Sequence, residues 1–512
     1  MAKVNQLKGG AILSYLQMFL NIIIGLVYTP VMMRLLGQSE YGLYQTVSST
    51  ISMLSILNLG FNASYIRYYA KYKKEGCETD VHKLNGLFLI IFSVIGGIVL
   101  LCGLILSFNL NWVFDKGLTE AEYQTAKILM LFLTVNLSVT FLATVFTSII
   151  SAHEKFVFLK LLGMIRTVLS PFITLPLLIW GFGSIGMVAV TVTLSFLVDF
   201  IYCIYAFTKL KTKFVFHGFE KGLFKSLFTY TSFIAINLIV DQINLNIDKL
   251  LLGRFKGTQV VAVYSVGYLL YSYYVMFSTS VSGVFTPRIH KIVNNTMGDL
   301  PQQRIQLTDL FVKVGRIQFL ILGLLASGIV FFGKPFIYFW AGDGYADAYY
   351  VALLLIIPAT IALTQNLGIE IQRAQNNHQF RSIVYLLMAL TNLVLSIFLC
   401  QKYGAVGSAI GTAISLILAN GLIMNIYYQA KCNINIVSFW KNILRVSLGL
   451  IVPIVVGILI VNFVNLYSPI NLIVFILIYT VIYCISMWFM GMNRYERGLI
   501  KKPVLKVLKR NK

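Results

Sequence analysis

The amino-acid sequence predicts an all-α membrane protein with about 14 transmembrane helices, arranged as two pseudo-repeated six-helix lobes plus two C-terminal helices. Three observations carry this prediction: the composition, the distribution of positive charge and an internal repeat. Of the 512 residues, 58% are hydrophobic and 12% are charged, whereas a soluble domain carries about 25% charged residues. Apolar runs of about 20 residues, long enough to cross a bilayer as helices, recur along the whole chain.

Each apolar run predicts one span. The first run is too long for a cleavable signal peptide, and no small-residue cleavage site follows it, so we interpret it as the first spanning helix. The predicted spans cover residues 10–36, 41–70, 84–108, 125–151, 157–180, 183–208, 226–253, 259–288, 308–333, 346–371, 380–401, 404–430, 440–463 and 469–491.

The Lys and Arg residues indicate the orientation of the chain. The formal net charge is +23. Alternate connectors and the two termini hold roughly thirty of the Lys and Arg residues, and the opposite connectors hold roughly six. The positive-inside rule therefore places both termini in the cytoplasm. We interpret the charge as a topology signal, and not as a nucleic-acid site, because the positive residues lie between apolar segments.

An internal repeat relates the two halves of the sequence. Four matched segments pair Gly37 with Gly253, Arg67 with Arg288, Phe156 with Phe380 and Gly186 with Gly407, at a nearly constant separation along the chain. Parallel repeats are typical of alternating-access transporters, whose substrate site lies between the halves. The predicted divisions are an N-terminal lobe (1–208), a basic cytoplasmic linker (209–225), a C-terminal lobe (226–430), and the last two helices with a basic tail (431–512).

The sequence carries no signal of an enzyme, a metal site or a cofactor. It contains no phosphate-cradling Gly loop before Lys-Ser/Thr, no nucleophile elbow and no His pair at metal-ligand spacing. No connector exceeds about 20 residues, so any chemistry must take place within the bilayer or at its surface. We predict a protein that is not an enzyme and that uses no metal or cofactor other than a coupling H⁺ or Na⁺.

Polar side chains interrupt the predicted helix 7. At 100° per residue, four of them fall within about 60° of one another: Asn237, Asp241, Asn244 and Asp248. A charge near the centre of a bilayer costs at least about 2.5–3.5 kcal/mol, so this stripe must face water, a cavity or polar partners. We interpret the stripe as lining a cavity and as a candidate for ion coupling; polar packing between helices is the alternative. Asp199, in "FLVDFIY", is the other deep carboxylate and is open to the same two interpretations.

Arginines and tyrosines form two further candidate sets. Guanidinium groups at the cytoplasmic ends of helices can form an anion funnel for phosphate, although snorkelling anchors use the same positions. Tyr residues at i, i+4 and i+7 of helix 8 can stack on sugars, although such a face is more often core or interface. The arginine candidates are Arg67, Arg166, Arg288, Arg316 and Arg373, with Arg34 near the outer end of helix 1, and the tyrosine candidates are Tyr264, Tyr268 and Tyr271.

An ordered set of motifs resembles a known family. "YTPVMMRLLGQSEYGLYQ" (28–45), "NIDKLLLGRF" (246–255), "IQRAQNNHQFRS" (371–382) and "RYERGLIKK" (494–502) are together similar to the polysaccharide-synthase-type oligosaccharide flippases. These belong to the multidrug/oligosaccharidyl-lipid/polysaccharide exporter superfamily. The resemblance covers nearly the whole chain. It is specific to the family and not to one substrate.

The resemblance implies a flippase for an undecaprenyl-diphosphate-linked oligosaccharide in a bacterial cytoplasmic membrane, working by ion-coupled alternating access. The lipid-linked product would feed O-antigen, capsule or exopolysaccharide synthesis, and a polymerase or ligase of that pathway is an implied partner. Two alternatives share the fold: a cation-coupled multidrug antiporter, which would use acidic and aromatic cavity residues, and a lipid II flippase. A membrane polymerase or ligase would need a sizeable outer loop with acid or base groups, which the sequence lacks.

Overall fold

The computed structural model describes residues 6–114, 118–219, 222–296, 298–375, 377–499 and 501. Within these ranges, every regular element is a helix, which confirms the predicted all-α class. The basic tail beyond residue 501 and the linker residues 220 and 221 lie outside the described residues. Large apolar side chains cover much of the described surface, and Phe463 for example is 82% exposed. Such a surface is expected where lipid replaces water.

The α-helices of the described residues are numbered in chain order. They are α1 (Gln6–Met53), α2 (Phe61–Lys74), α3 (Glu78–Phe108), α4 (Glu120–Ala152), α5 (Phe156–Ile179), α6 (Gly183–Thr208), α7 (Leu223–Lys256), α8 (Thr258–Gly283), α9 (Thr286–Asn295), α10 (Leu300–Ala341), α11 (Ala348–Thr364), α12 (Leu367–Ala374), α13 (His378–Leu416), α14 (Met424–Ala430), α15 (Ile436–Ser447), α16 (Ile451–Phe463) and α17 (Pro469–Ser486).

Eleven helical stretches of the described residues are long and apolar enough to cross a membrane. Two of them, Gly9–Lys74 and Gln379–Ala430, each cover two predicted spans. Helix α7 covers the seventh predicted span and is not among the eleven. The chain is therefore a multi-pass helical membrane protein, as predicted. The count of fourteen spans and the cytoplasmic position of both termini remain predictions.

Two glycines interrupt long helices where the sequence places a boundary between spans. Gly37 breaks α1 with φ 77° and ψ 166°, and Gly404 breaks α13 with φ 59°. A positive φ is accessible to glycine at little cost because it has no Cβ. The apolar sequence continues almost without a gap on both sides of each glycine, so one residue is enough to separate two predicted spans.

The same backbone conformations recur in the two halves of the chain, which supports the predicted repeat. Gly257, between α7 and α8, has φ 87° and ψ 176°, close to the values at Gly37. Gly183 has φ 56°, close to that of Gly404. The sequence-based pairing of Gly37 with Gly253 is therefore wrong by one helical turn. Gly253 lies inside α7, where a Cβ would overlap the Thr46 side chain.

At three predicted spans, the first helix ends before the span does, and a separate short helix follows it. The predicted spans 41–70, 259–288 and 346–371 end in α2, α9 and α12, respectively. Before α2, Leu59 and Gly60 both have positive φ (48° and 76°), which ends the preceding helix. Each short helix buries one face. The apolar residues of that face continue the preceding apolar run, so the predicted spans are too long.

The first compact unit comprises Met1–Ser265 and Leu393–Ser408. An aromatic core packs α2 against α3 and α4, with Tyr65, Phe88 and Phe92 fully buried and Phe61 in edge-to-face contact with both phenylalanines. Helix α4 begins at a capping box, in which the Thr119 hydroxyl accepts from the Glu122 backbone N–H and the Glu122 carboxylate accepts from the Thr119 N–H. Helix α7 packs against α1 and α2 within this unit.

The second compact unit comprises Val266–Asn392 and Ala409–Lys512. In its core, Phe311 of α10 packs between Tyr428 and Phe439, with ring centroids 5.8 Å and 4.7 Å away. The boundary between the two compact units differs from the boundary between the two sequence repeats, because α7 belongs to the second repeat by sequence but packs within the first unit. The lobe divisions 1–208, 209–225, 226–430 and 431–512 therefore remain a prediction about the repeat.

Candidate functional site

The polar stripe of α7 divides into a buried end and an exposed end. Asp248 is 2% exposed, and the Tyr264 hydroxyl donates a 2.7 Å hydrogen bond to its Oδ2. Asn237 and Asp241 are exposed, and Asn244 is half-buried. The stripe therefore combines a carboxylate held in packing with one that lies on the surface of the first unit. Asp248 therefore fits polar packing between helices, which is the alternative interpretation of the stripe. Asp241 is exposed and stays a candidate for an accessible site.

Tyr264 is only 1% exposed, and its hydroxyl is committed to Asp248. The structure thus places Tyr264 among the packing residues rather than among those accessible to a glycan. Tyr268 and Tyr271 are half-buried, and their rings meet edge to face with centroids 5.5 Å apart. These two tyrosines remain candidates for contact with a sugar.

Lys249 extends the buried polar region toward α1. Its Nζ donates to Gln45 Oε1 over 3.1 Å, and Gln45 Nε2 donates to the Tyr41 hydroxyl over 3.0 Å. On sequence grounds, Lys249 is only a possible partner of Asp248. The link to Gln45 was missed because the two residues are 204 positions apart, and no periodicity on one helix reveals such a contact.

Asp199 and Arg166 lie on neighbouring helices of the first unit. Both are half-buried, on α6 and α5 respectively, and they are close enough to interact electrostatically with each other and with Tyr202. Asp199 Oδ2 is buried without a hydrogen-bond partner among the described residues. The arrangement brings an ion-coupling candidate and a phosphate-binding candidate together. The two charges can therefore partly neutralise each other within the membrane.

Three candidate arginines lie on the short amphipathic helices. Arg67 on α2, Arg288 on α9 and Arg373 on α12 are all exposed. Helices α9 and α12 pack against each other in the second unit, so Arg288 and Arg373 lie on neighbouring helices. Arg373 Nη1 forms a 2.7 Å ion pair with Glu370 Oε1 at the surface. Arg67 and Arg288 occupy corresponding helices of the two repeats, as the sequence-based pairing predicts.

Arg316 has a different environment from the other candidates. It is 5% exposed, and its Nε and Nη2 donate to the two oxygens of Glu496 over 2.5 Å and 2.9 Å. Its Nη1 and Nη2 also donate to the carbonyls of Asn442 and Gly491. The guanidinium is enclosed by these acceptors, so its donors are already used within the protein and Arg316 is not accessible to a diphosphate in this conformation. The sequence places Arg316 near the start of the predicted span 308–333, but it lies well inside α10, and the sequence could not reveal a partner so distant along the chain.

Arg34 is exposed and lies just before the break at Gly37. Its counterpart in the second repeat, at the separation of Gly37 and Gly257, is Arg254. The Arg254 Nη1 donates to the Trp112 carbonyl over 3.1 Å. This contact ties the end of α7 to the 109–114 segment, so Arg254 has a structural role. For Arg34, the exposed position is compatible with either an anchor or a phosphate contact.

A polar region of the second unit joins Arg381, which the sequence also places at a cytoplasmic helix end, to residues that were not nominated from the sequence. The Arg381 guanidinium lies 4.5 Å from the centroid of the Tyr385 ring, and the Tyr385 hydroxyl donates to Asn420 Oδ1. Asn425 Oδ1 accepts from Gln365 Nε2 and from Trp440 Nε1, over 2.8 Å and 3.2 Å. The i, i+4 spacing of Arg381 and Tyr385 was a usable signal, because such residues share one face of a helix.

The described residues contain no group of three or more His, Cys, Asp or Glu side chains placed to hold a metal ion. The candidate side chains can supply guanidinium groups for an anion, carboxylates for a cation and aromatic faces for a neutral group.

Comparison with known proteins identifies the fold and the relatives. Residues 7–293 match the family model described as polysaccharide biosynthesis protein. A "Putative O-antigen transporter" of Shigella flexneri is 21% identical over 409 residues, which are 78% of this chain and 92% of the relative. The family match runs from α1 into α9, and thus includes both the α7 stripe and the exposed Arg67 and Arg288.

Solved structures share the fold at low sequence identity. A lipid II flippase, MurJ, in an inward closed conformation has a TM-score of 0.67 and 18% identity, with 96% of this chain and 99% of that chain covered. An inward-facing MATE multidrug resistance transporter of the MOP superfamily has a TM-score of 0.63 and 13% identity, with 84% and 99% covered. These proteins are transporters rather than enzymes.

Proposed function

Because the chain belongs to the polysaccharide biosynthesis protein family, within the MOP superfamily of flippases and exporters, we propose that it moves an undecaprenyl-diphosphate-linked oligosaccharide. The movement runs from the inner to the outer leaflet of a bacterial cytoplasmic membrane. The observation that carries this proposal is the family match over residues 7–293. The likeness to an O-antigen transporter over most of both chains supports the same substrate class.

The diphosphate is the part of the substrate that the arginines can recognise. Arg67, Arg288 and Arg373 are exposed on short helices that follow membrane-spanning segments, and the charge distribution predicts that these ends face the cytoplasm. A guanidinium forms two parallel hydrogen bonds with a phosphate. We assign initial contact with the diphosphate to Arg67 in the first unit and, separately, to Arg288 and Arg373 in the second unit, and we exclude Arg316, which is enclosed by Glu496.

Ion coupling is assigned to the carboxylates of the first unit. Asp241 is exposed on α7, and Asp199 has a buried oxygen without a hydrogen-bond partner among the described residues. A carboxylate in the membrane can change its affinity for a cation when its surroundings change. In this proposal, binding of H⁺ or Na⁺ at these groups biases the alternation between inward and outward access. The product then supplies O-antigen, capsule or exopolysaccharide synthesis.

A clean deletion with a leaflet-resolved assay of the lipid-linked glycan tests the proposal. We expect the glycan to accumulate on the inner leaflet and the wild-type gene to restore export. Normal export together with altered resistance to cationic dyes would overturn the proposal in favour of a multidrug antiporter. Accumulation of lipid II on the inner leaflet would overturn it in favour of a lipid II flippase.

The Arg67→Ala variant tests the arginine assignment in the same assay. Loss of a charge-assisted hydrogen bond to phosphate costs about 1.5–3 kcal/mol, so we expect an export rate reduced by about tenfold to a hundredfold. Arg445→Ala is the matched control, since Arg445 is exposed on α15 and belongs to no candidate set. An equal effect of both variants, at equal protein abundance, would remove Arg67 from the site.

A further inference from the structure

The segment between α6 and α7 is fixed to the surface of α3. The Val215 backbone N–H donates to the His82 carbonyl over 3.0 Å, and Asn85 Nδ2 donates to the Lys213 carbonyl over 3.0 Å. The Thr212 N–H donates to the Ala206 carbonyl over 3.1 Å. Residues 209–219, which we call the docked linker, are thus held by backbone contacts at several points and do not form a loose tether.

A glycine of α3 makes this docking possible. A Cβ on Gly86 would lie far inside van der Waals contact with the Val215 carbonyl oxygen. The linker backbone therefore rests directly on the helix at Gly86. The preceding residue, Phe214, also holds the linker in place, because its ring packs against Phe207 and Phe146 with centroids 5.6 Å and 6.2 Å away.

The docked linker presents three lysines to the outside. Lys209, Lys211 and Lys213 are exposed, while the residues between them, Leu210 and Thr212, are half-buried. We call these three residues the lysine edge. None of the three forms an ion pair with any acidic group of the described residues. The lysine edge therefore carries three positive charges in a fixed arrangement without an internal counterion among those residues.

The surroundings of the lysine edge are those of a membrane surface. The docked linker follows α6, which is long and apolar enough to span a membrane, and precedes α7, which covers the seventh predicted span. It therefore lies close to the bilayer, and its positive charge predicts the cytoplasmic side. Phe216 is 53% exposed beside the lysines. Basic residues combined with an exposed aromatic ring suit the boundary between anionic headgroups and acyl chains.

We propose that the lysine edge binds the phosphate groups of anionic phospholipids in the cytoplasmic leaflet. The fixed linker reduces the ordering cost that a flexible basic loop would incur on binding. This inference is independent of the transported molecule, because it concerns the lipid that surrounds the protein. Three lysines near a charged surface contribute about fivefold in affinity each.

The full-length protein in nanodiscs tests this proposal, with phosphatidylglycerol in phosphatidylcholine as the probe. We expect the Lys209→Gln/Lys211→Gln/Lys213→Gln variant to bind phosphatidylglycerol on the order of tenfold to a hundredfold more weakly by native mass spectrometry. The matched control removes three other exposed positive charges, as Lys431→Gln/Lys441→Gln/Arg494→Gln. An equal loss in both variants would overturn the proposal, because net charge alone would then account for binding.

A pair of glycine variants tests the position of the lysine edge separately from its charge. Gly86→Ala forces the linker away from α3 and keeps all three lysines, whereas Gly97→Ala on the same helix meets no atom within 4 Å. We expect Gly86→Ala to weaken phosphatidylglycerol binding and Gly97→Ala to leave it unchanged. Wild-type binding in a folded Gly86→Ala protein would overturn the role of the docked linker.

Inorganic pyrophosphate distinguishes a phospholipid headgroup from the diphosphate of a transported lipid. In nanodiscs of phosphatidylcholine alone, we expect wild type and the lysine-edge variant to bind pyrophosphate equally. Pyrophosphate binding that is lost only in the lysine-edge variant would assign the edge to a diphosphate and overturn the phospholipid assignment. This outcome is separate from the export assay, so failure here leaves the proposed transport function standing.

Discussion

Arg316 and Arg67 are both predicted from the sequence to bind phosphate, yet their surroundings are opposite. Arg316 is enclosed by the Glu496 carboxylate and two backbone carbonyls, and Arg67 is exposed on an amphipathic helix. Asp248 and Asp241 differ in the same way along α7. A charge that is buried with partners holds segments of the chain together, and a charge on the surface remains accessible to a ligand. Burial, more than residue type, therefore divides the candidate set.

The physical basis of this division is the cost of removing a charge from water. A buried guanidinium or carboxylate loses its hydration, and only close partners compensate for that loss. Removal of one partner leaves the other uncompensated, so the effect on stability is large. An exposed charge keeps its solvent, so its removal changes stability little. Mutations at the two kinds of position should therefore separate stability from transport.

The largest effect on stability is expected at the Arg316–Glu496 pair. Arg316→Ala leaves the Glu496 carboxylate buried without its guanidinium, at a cost of about 3–5 kcal/mol in the free energy of unfolding. Denaturant unfolding of the purified protein in detergent measures this change. Arg67→Ala is the control and should shift the unfolding free energy by less than about 0.5 kcal/mol. Arg316→Ala with wild-type stability and lost export would return Arg316 to the binding set.

A double substitution sharpens this prediction. In Arg316→Met/Glu496→Met, neither charge remains to be desolvated, so the double variant should be more stable than either single variant. Equal destabilisation by the double variant and by the sum of the singles would mean that the two residues are energetically independent, in conflict with their contact.

The next effect is expected at the hydrogen bond between Tyr264 and Asp248. Tyr264→Phe keeps the ring and removes the donor, which costs about 1–3 kcal/mol for a buried acceptor. Tyr273→Phe on the same helix is the control, because Tyr273 makes no hydrogen bond within the described residues. Loss of export without loss of stability in Tyr264→Phe would instead favour a direct role for Tyr264 in transport.

Asp241→Asn should have a smaller effect on stability and a strong effect on transport. The side chain is exposed, so we expect a change of less than about 0.5 kcal/mol in the unfolding free energy. If Asp241 couples transport to a cation, the neutral amide should abolish export at normal protein abundance, measured by the leaflet-resolved assay. Full complementation by Asp241→Asn would remove this residue from the coupling set.

The fold class and the exposed part of the site could be predicted from the sequence, because local patterns determine them. Apolar runs and the polar stripe of α7 both appear within a short window of residues. The short helices α2, α9 and α12 could not be separated from the spans before them, since their buried apolar faces continue the runs. Contacts such as Arg316 with Glu496, or Lys249 with Gln45, depend on tertiary packing between segments far apart in the sequence. Sequence patterns therefore could not reveal those partners.

The smallest effect on stability is expected at His153, which is half-buried and thus intermediate between the buried and the exposed charges. It follows the end of α4, its Nδ1 lies 2.9 Å from the Ile149 carbonyl oxygen, and its Nε2 lies 2.9 Å from the Tyr69 hydroxyl. The carbonyl requires a proton on Nδ1, so neutral His153 accepts from Tyr69 through Nε2. Burial has the largest effect and lowers the pKa of His153; the hydrogen bond to the Ile149 carbonyl raises it by less, and the charges of Lys73 and Lys155 lower it further.

A lowered pKa in the folded state means that the unfolded chain binds more protons as the pH falls below the ordinary histidine value of about 6.5. The contribution of His153 to stability is therefore complete above that pH and decreases during acidification. Unfolding midpoints measured between about pH 8 and pH 5 should fall more steeply for wild type than for His153→Gln, which keeps polar contacts but does not titrate. A His153→Gln slope equal to that of wild type would show that the contact with Tyr69 tolerates the charged ring.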